Sequence, residues 1–359
     1  MRLLENKKYQ QILDRLLLDF PMWEKLNGKT IFISGASGMI GSLLVDVIMV
    51  RNMRSSKESR CHIIASGRNE AVAKKRFYKW YDQEEFSFLP HDISNPLRLS
   101  YTPDFLIHAA STTHPLAYSQ EPINTILANI MGTHNLLELA AENTQSRFLL
   151  LSSVEIYGEN RGDTEYFAED YCGYINCNTL RAGYPEAKRT SETLCQAYIT
   201  QRNVDACTIR LPRIYGPTMR MSDTKAIAQF IKKGLSKEDI ILKSKGNQLY
   251  SYAHTADAVQ GILWVLLCGE VGQAYNLGDH RSDITLYELA QTVAQYTQTK
   301  VVSELPDEIE GRGYSTATKA LLNAEKLSKL GWKSRYDIKT GICETIDILQ
   351  DVFQKGDMT

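Results

Sequence analysis

Apolar and polar positions change their period several times along this chain. Between residues 9 and 20, Tyr9, Ile12, Leu13, Leu16, Leu17 and Phe20 recur at helical spacing, which predicts a helix with one apolar face, ended by Pro21. That face packs on the main body of the protein or, as the sharper alternative, makes an oligomer contact. From residue 28, short apolar runs alternate with helical patterns. Residues 30–34, 61–66, 86–89, 105–109, 147–152 and 206–210 read as buried strands, and 39–53, 123–143 and 184–201 as helices between them. Strands separated by helices pair in parallel through right-handed crossovers. The expected fold class is therefore α/β, with a doubly wound parallel sheet whose ligand crevice lies at the carboxyl ends of the strands. After Arg210 the alternation weakens. Helices are expected at 222–234, 255–268, 285–298 and 319–330, mixed with short strands near 239–242 and 274–277. The expected division is an N-terminal helical arm at 1–27, a larger domain at 28–210 and a smaller, mixed C-terminal domain at 211–359, with room for the chain to cross between the last two.

Composition removes several classes of function. The chain has 359 residues, 41 Lys and Arg against 42 Asp and Glu, and a net charge of -1. No basic excess is present to neutralise a phosphate backbone or meet an anionic bilayer, so neither nucleic acid nor membrane is expected as a partner. The longest apolar runs, such as 262–268, fall far short of the roughly 20 residues that span a bilayer. Seven cysteines, an odd number without a CxxC pair, argue against a zinc cluster or a disulfide framework, and no metal is expected. Asp14, Arg15 and Asp19 interrupt the N-terminal apolar stretch and no cleavage site follows it, so the expected compartment is the reducing cytoplasm.

The first strand runs into Gly35-Ala36-Ser37-Gly38-Met39-Ile40-Gly41. Glycine is needed where the backbone turns sharply and approaches a pyrophosphate, with a helix N-terminus aimed at it. Following a strand and opening a helix, this turn predicts dinucleotide binding in a Rossmann-type sheet. The second strand ends in Ser66-Gly67-Arg68-Asn69, with no acidic residue for the adenosine ribose. Arg68 can meet a 2′-phosphate, stack on adenine or be solvated, so both NAD and NADP stay open. His91-Asp92-Ile93, after the third strand, is a candidate adenine contact or a plain strand-end turn. Tyr184 and Lys188 form a YxxxK pair on one helix face. An ammonium and a charged nicotinamide nearby would favour the phenolate, and such a tyrosine can take a proton from a sugar hydroxyl while hydride leaves the same carbon. The pair follows Ser152-Ser153-Val154-Glu155-Ile156-Tyr157-Gly158 at the end of the fifth strand.

In these motifs, with HAAS at 108–111 and IYGP at 214–217, the chain resembles the extended short-chain dehydrogenase/reductases, the NAD-dependent nucleotide-sugar epimerases, dehydratases and decarboxylases. The resemblance covers nearly all of 28–350. Within that family the stretches at 108–118, 169–176, 180–198 and 216–223 are most similar to the UDP-glucuronate decarboxylases (UDP-xylose synthases). The resemblance implies a nucleotide-sugar domain at 211–359 and NAD, or NADP, along Gly35, Ser37, Gly38, Met39, Ile40, Gly41, Arg68, Asp92, Ile93, Ala109, Ala110 and Ser111, reaching Tyr184 and Lys188. It implies that Ser153 bonds the C4 oxygen, Tyr184 is the base, Lys188 holds the tyrosine and Glu155 works near C5. Thr113, Asn176, Arg181, Arg213, Arg220, Tyr250 and Arg312 are the implied substrate contacts, and the helices at 123–143 and 184–201 are the implied interface of a homodimer.

The chain also departs from that family. Val154 stands where decarboxylases carry a small hydroxyl residue and 4,6-dehydratases an Asp; Tyr250 replaces a usual arginine, and Arg213 a frequent Asn. The implied reaction is transient oxidation at C4 of a UDP-sugar, most directly decarboxylation of UDP-glucuronate to UDP-xylose. A 4-epimerase is the alternative, a 4,6-dehydratase ranks third because of Val154, and a dinucleotide sensor without catalysis is disfavoured by the intact Ser153–Tyr184–Lys188 set. His108 and His114 are expected to be structural beside the cofactor, and Lys232 and Lys233 to lie on a solvated helix face.

Overall fold

The computed structural model describes residues 2–111, 113, 118, 120–304 and 317–354. Its strands are β1 (Thr30–Ser34), β2 (His62–Gly67), β3 (Phe86–Pro90), β4 (Phe105–His108), β5 (Arg147–Ser153), β6 (Asp205–Leu211), β7 (Arg213–Tyr215), β8 (Ile240–Leu242), β9 (Leu249–His254), β10 (Ala274–Asn276), β11 (Asp283–Thr285), β12 (Val301–Ser303) and β13 (Lys319–Ala320). The helices that matter here are α1 (Lys7–Asp19), α2 (Met39–Met53), α3 (Glu70–Arg76), α4 (Pro122–Ala141), α5 (Gly183–Arg202), α6 (Ala226–Leu235), α7 (Thr255–Cys268), α8 (Leu286–Thr297), α9 (Glu325–Lys329) and α10 (Ile338–Gln354).

Seven strands form one sheet in the order β10-β6-β5-β4-β1-β2-β3, every neighbouring pair parallel. Successive side chains of a strand point to opposite faces. Ile31, Ile33, Leu149 and Leu151 accordingly join the core under α2 and α7, while Phe32, Phe148 and Leu150 join the core under α4 and α5. Both faces are covered, so the strands read as unbroken apolar runs. The strand order reverses between β1 and β4, which opens a crevice at their carboxyl ends. This is the doubly wound parallel sheet that the alternation predicts.

The N-terminal helix packs on this body. Tyr9, Ile12, Leu13 and Leu16 of α1 are buried in the core shared with α2 and α7. Its anchor is polar: Asp46, fully buried on α2, accepts from Tyr9 Oη at 2.6 Å and Trp80 Nε1 at 2.9 Å and pairs with Arg76. Every buried partner is satisfied, which is the condition for such a network to hold two elements together. Lys8 and Arg15 also pair with Asp347 and Glu344 of α10.

The second layer contains a four-stranded sheet, in which β9 is flanked by β11, β13 and β7, and a parallel β8–β12 pair. Its core joins Tyr157, Phe167, Tyr215 and Tyr252 to α6 and α8. Two segments read from sequence as part of this domain lie in the first layer instead. Helix α7 packs on α2, β5 and β6, and β10 pairs with β6 at the edge of the seven-stranded sheet. The expected helix over 319–330 is also corrected. Lys319 and Ala320 pair with Leu249 and Tyr250, and the helix begins only at Glu325, whose N–H is capped by Asn323 Oδ1 at 2.8 Å. Ile338, Ile342, Ile346 and Leu349 bury one face of α10, a spacing the sequence reading left without an element. Among the described residues no helix is long and apolar enough to cross a membrane.

Candidate active site

The turn after β1 shows why three glycines stand where they do. Gly35 has φ +66°, and a Cβ on it would lie 2.7 Å from Ala110 Cα; a Cβ on Gly41 would lie 2.7 Å from Gly35 O. These two are demanded by the chain's own packing. Gly38 is different: its Cβ would meet only Gly35 O, at 3.1 Å, and the residue caps α2 facing the crevice. The first N–H groups of a helix lack partners within it and, with the helix dipole, favour an anion. The turn therefore fits a pyrophosphate. Ser34 Oγ joins the strand ends beside it, accepting from the Ala109 and Ala110 N–H groups at 3.2 Å each and bonding His108 Nδ1 at 2.9 Å. Burial, and then the Lys188 charge, push His108 down to about 3, so this histidine is a neutral structural group.

At the other end of the crevice, α5 presents Tyr184 and Lys188 from consecutive turns, and β5 ends in Ser153. Ser153 Oγ caps the following turn, accepting from Glu155 N at 3.2 Å, and lines the same cavity as Tyr184. Lys188 Nζ donates to the Leu151 carbonyl at 2.7 Å. Burial lowers this lysine to about 8. In the protein alone the tyrosine is pushed up to about 12. Burial is the main cause; Ser153 and Arg181 lower the value and Glu155 raises it.

Glu155 sits between two arginines. Arg181 Nη2 donates to Oε2 at 2.6 Å, and Arg213 Nη2 to Oε1 at 3.5 Å. Each guanidinium lies over a tyrosine, Arg213 at 3.4 Å from the Tyr250 centroid and Arg181 at 5.0 Å from that of Tyr118. Tyr118 stacks in turn on Tyr184 with centroids 5.0 Å apart. Among the described residues, Arg181 Nε and Nη1 and Arg213 Nη1 are buried without a hydrogen-bond partner. Two cations against one carboxylate leave one positive charge and unspent donors beside the tyrosine.

These groups line a single cavity of about 1170 Å³ between the layers. It brings together Gly35, Ser37, Gly38, Met39, Ile40, Gly41, Arg68, Asp92, Ile93, Ala109, Ala110, Ser111, Thr113, Ser153, Glu155, Arg181, Tyr184, Lys188, Arg213, Arg220 and Tyr250. Asn176 is not among them: it is exposed, and its side chain accepts from the Asn178 N–H at 3.1 Å. Arg312 and His114 lie outside the described residues. Lys232 is not a solvated charge but donates to the Met221 and Asp223 carbonyls at 3.0 and 2.7 Å, holding the loop before α6. Tyr118 is the residue missed in sequence; it lies within a quoted motif, but no spacing distinguishes a stacking tyrosine from a core one.

UDP-glucuronic acid decarboxylase 3 of Arabidopsis thaliana is 29% identical over 316 residues, covering 87% of this chain and 86% of its own. UDP-glucuronic acid decarboxylase 1 of Danio rerio is 30% identical over 323 residues, covering 89% and 72%. Among solved structures, UDP-glucuronic acid 4-epimerase from Bacillus cereus, crystallised with UDP-glucuronic acid and NAD, shares the fold with a TM-score of 0.76 at 18% identity, covering 90% of this chain and 99% of its own. The model of the NAD dependent epimerase/dehydratase family matches residues 31–278, from β1 to just past β10. That span contains the glycine turn, Ser153 and the Tyr184–Lys188 pair, and the chain belongs to the NAD dependent epimerase/dehydratase family.

Proposed function

We propose that this protein decarboxylates UDP-glucuronate to UDP-xylose in the cytoplasm, with a nicotinamide dinucleotide as resident cofactor. The observation that carries this reading is the excess guanidinium charge beside Tyr184. Among the described residues, three buried nitrogen atoms of Arg181 and Arg213 have no hydrogen-bond partner, while the two share one carboxylate, Glu155. Buried cations without full pairing are costly, and an anionic substituent on the sugar compensates them. A uronate carboxylate fits; the hydroxymethyl of a neutral hexose does not. The names of the curated relatives point the same way.

The cofactor, held along the 35–41 turn, supplies the acceptor and donor of hydride at C4. The other tasks fall to this chain. Ser153 bonds the C4 oxygen, and Tyr184, buried at the end of the crevice, takes that hydroxyl's proton in the phenolate form that a cationic nicotinamide beside it would favour. A ketone at C4 is β to the carboxylate, so carbon dioxide leaves with the bonding electrons drawn into the carbonyl; the resulting enolate takes a proton at C5, and return of the hydride to C4 with the proton held by Tyr184 to its oxygen would give the pentose. Glu155 acts here as a positioning residue that fixes both guanidiniums toward the carboxylate. Val154 is 4% exposed within an apolar core and takes no part in proton transfer. The seven unpaired cysteines suit a reducing compartment.

The test is incubation of the pure protein, with NAD and with NADP, on UDP-glucuronate, following carbon dioxide and nucleotide-sugar products by mass spectrometry. Carbon dioxide and UDP-xylose are expected, with a loss of at least about 10²-fold in Tyr184→Phe. Arg213→Met is expected to raise KM for UDP-glucuronate by roughly tenfold or more, the scale of a lost charge-assisted contact. UDP-galacturonate without carbon dioxide would establish 4-epimerisation instead.

A further inference from the structure

Loss of carbon dioxide leaves an enolate, and a group beside C5 must supply the proton that quenches it. Val154 is apolar and enclosed in the core. Ser153 and Tyr184 are engaged at the C4 oxygen, and Lys188 donates to the Leu151 carbonyl at 2.7 Å. Glu155 spends both its oxygens as acceptors, Oε2 from Arg181 and Oε1 from Arg213. The guanidiniums themselves do not give up protons.

The bonding of the sugar limits where C5 can lie. C4 belongs at Ser153 and Tyr184, the carboxyl carbon at Arg181 and Arg213, and C5 is the atom bonded to both carbons. Tyr118 occupies that interval. Its ring stacks on Tyr184, with centroids 5.0 Å apart and planes 23° from parallel, and the Arg181 guanidinium lies 5.0 Å from its centroid. The residue is 7% exposed and lines the cavity. It therefore touches the base on one hand and the carboxylate clamp on the other, and it carries a phenolic proton. Burial first, then Tyr184 and Glu155, hold that phenol well above its ordinary value, so the proton is in place when substrate arrives. Arg181 and Arg213 act the other way. Their charge is left without the substrate carboxylate once carbon dioxide has gone, and a nearby positive charge favours a phenolate. The phenol thus becomes the better acid after the C5–C6 bond has broken.

We propose that Tyr118 is the acid that protonates C5. The electron pair of the enolate forms the new C–H bond as the O–H bond of Tyr118 breaks, which leaves a ketone at C4 and a phenolate beside Arg181. Decarboxylation takes up one proton overall, so the phenolate recovers its proton from water after the product leaves. The inference rests on the decarboxylase reading, since a 4-epimerase leaves C5 untouched.

The experiment is turnover of UDP-glucuronate with NAD in deuterium oxide, by wild type and by Tyr118→Phe, with the pentose analysed by NMR. C5 of that product is a CH2 group whose two hydrogens are distinct. The wild type is expected to place one deuterium there in a single configuration. Tyr118→Phe keeps the stacked ring and removes the proton, so UDP-xylose formation is expected to fall by at least about 10²-fold. Carbon dioxide is still released; the enolate then takes its deuteron from water in both configurations and leaves as the 4-keto pentose. Formation of reduced nicotinamide in a single turnover is expected to stay within about threefold of wild type, a result that a structural role alone would not give. Deuterium in one configuration at the wild-type rate from Tyr118→Phe overturns the assignment. So does deuterium in both configurations from the wild type, whether or not the variant folds. Loss of the single-turnover oxidation in Tyr118→Phe makes the ring a support of Tyr184 and overturns the assignment as well. A wild type that releases no carbon dioxide overturns the decarboxylase reading instead.

Discussion

His254 shows how a single side chain makes stability depend on pH. It caps α7 by accepting from Ala256 N through Nδ1, and burial pushes it down to about 3 from the ordinary 6.5. His108 is displaced in the same direction and to the same value. Below 6.5 the unfolded chain takes up protons at these positions that the native protein refuses until about 3, so stability falls as pH falls through that window. Asp257 acts oppositely, because burial raises it to about 6 from 3.8 and the native form protonates first. Two histidines outweigh one carboxyl. Asn keeps an acceptor for the cap and does not titrate. His254→Asn is therefore expected to lose less stability between pH 7 and 4.5 than wild type, by roughly 1–3 kcal/mol, measured from urea midpoints. An identical acid loss in the variant would remove His254 as a cause. At this scale the sequence revealed residue types but not their charge states. Tyr184 and Lys188 were found by spacing, whereas the upward shift of the phenol follows from burial and from Glu155, which no local pattern displays. The pairing of Arg213 with Tyr250, two departures from the family pattern that stack on one another, likewise exists only in three dimensions.

At the scale of elements, the outer and middle glycines of the turn make separable predictions. Gly38→Asp adds a side chain that faces the crevice, so the protein is expected to stay folded, by its melting temperature, and to lose dinucleotide binding. Gly41→Val drives methyl groups into Gly35 O and Ala36, and is expected to lower the melting temperature itself. Retained binding in folded Gly38→Asp would dissociate the turn from the cofactor. The elements of the first layer were legible because they are long and buried on both faces. Residues 41–49 of α2 are all buried, matching a helix apolar around its circumference. The second layer was less legible because its strands β7, β11 and β13 have only two or three residues and gain their identity from pairing with β9. Ala320 to Leu322 read as the start of a helix until Lys319 and Ala320 are seen against Leu249 and Tyr250.

On the scale of the whole molecule, α4 carries an apolar stripe outward: Ile123, Leu127 and Met131 are 70%, 46% and 36% exposed. Their spacing of four puts them on one line, alongside the tightly packed partner α5. We infer a homodimer through this helix pair. Light scattering at micromolar concentration is expected to give twice the chain mass, falling to the monomer in Leu127→Glu combined with Met131→Glu. A monomeric wild type would exclude this interface. Strand β10 has a consequence of another kind. Thr208 of β6 waits for Ala274, so the last strand of the first sheet is synthesised only after β7, β8 and β9. A nascent chain that has left the ribosome through residue 211 therefore holds an apolar parallel strand with an open edge, the template on which unrelated chains aggregate. The seven-stranded sheet is complete only once residues 274–276 have been made, and until then its edge is β6.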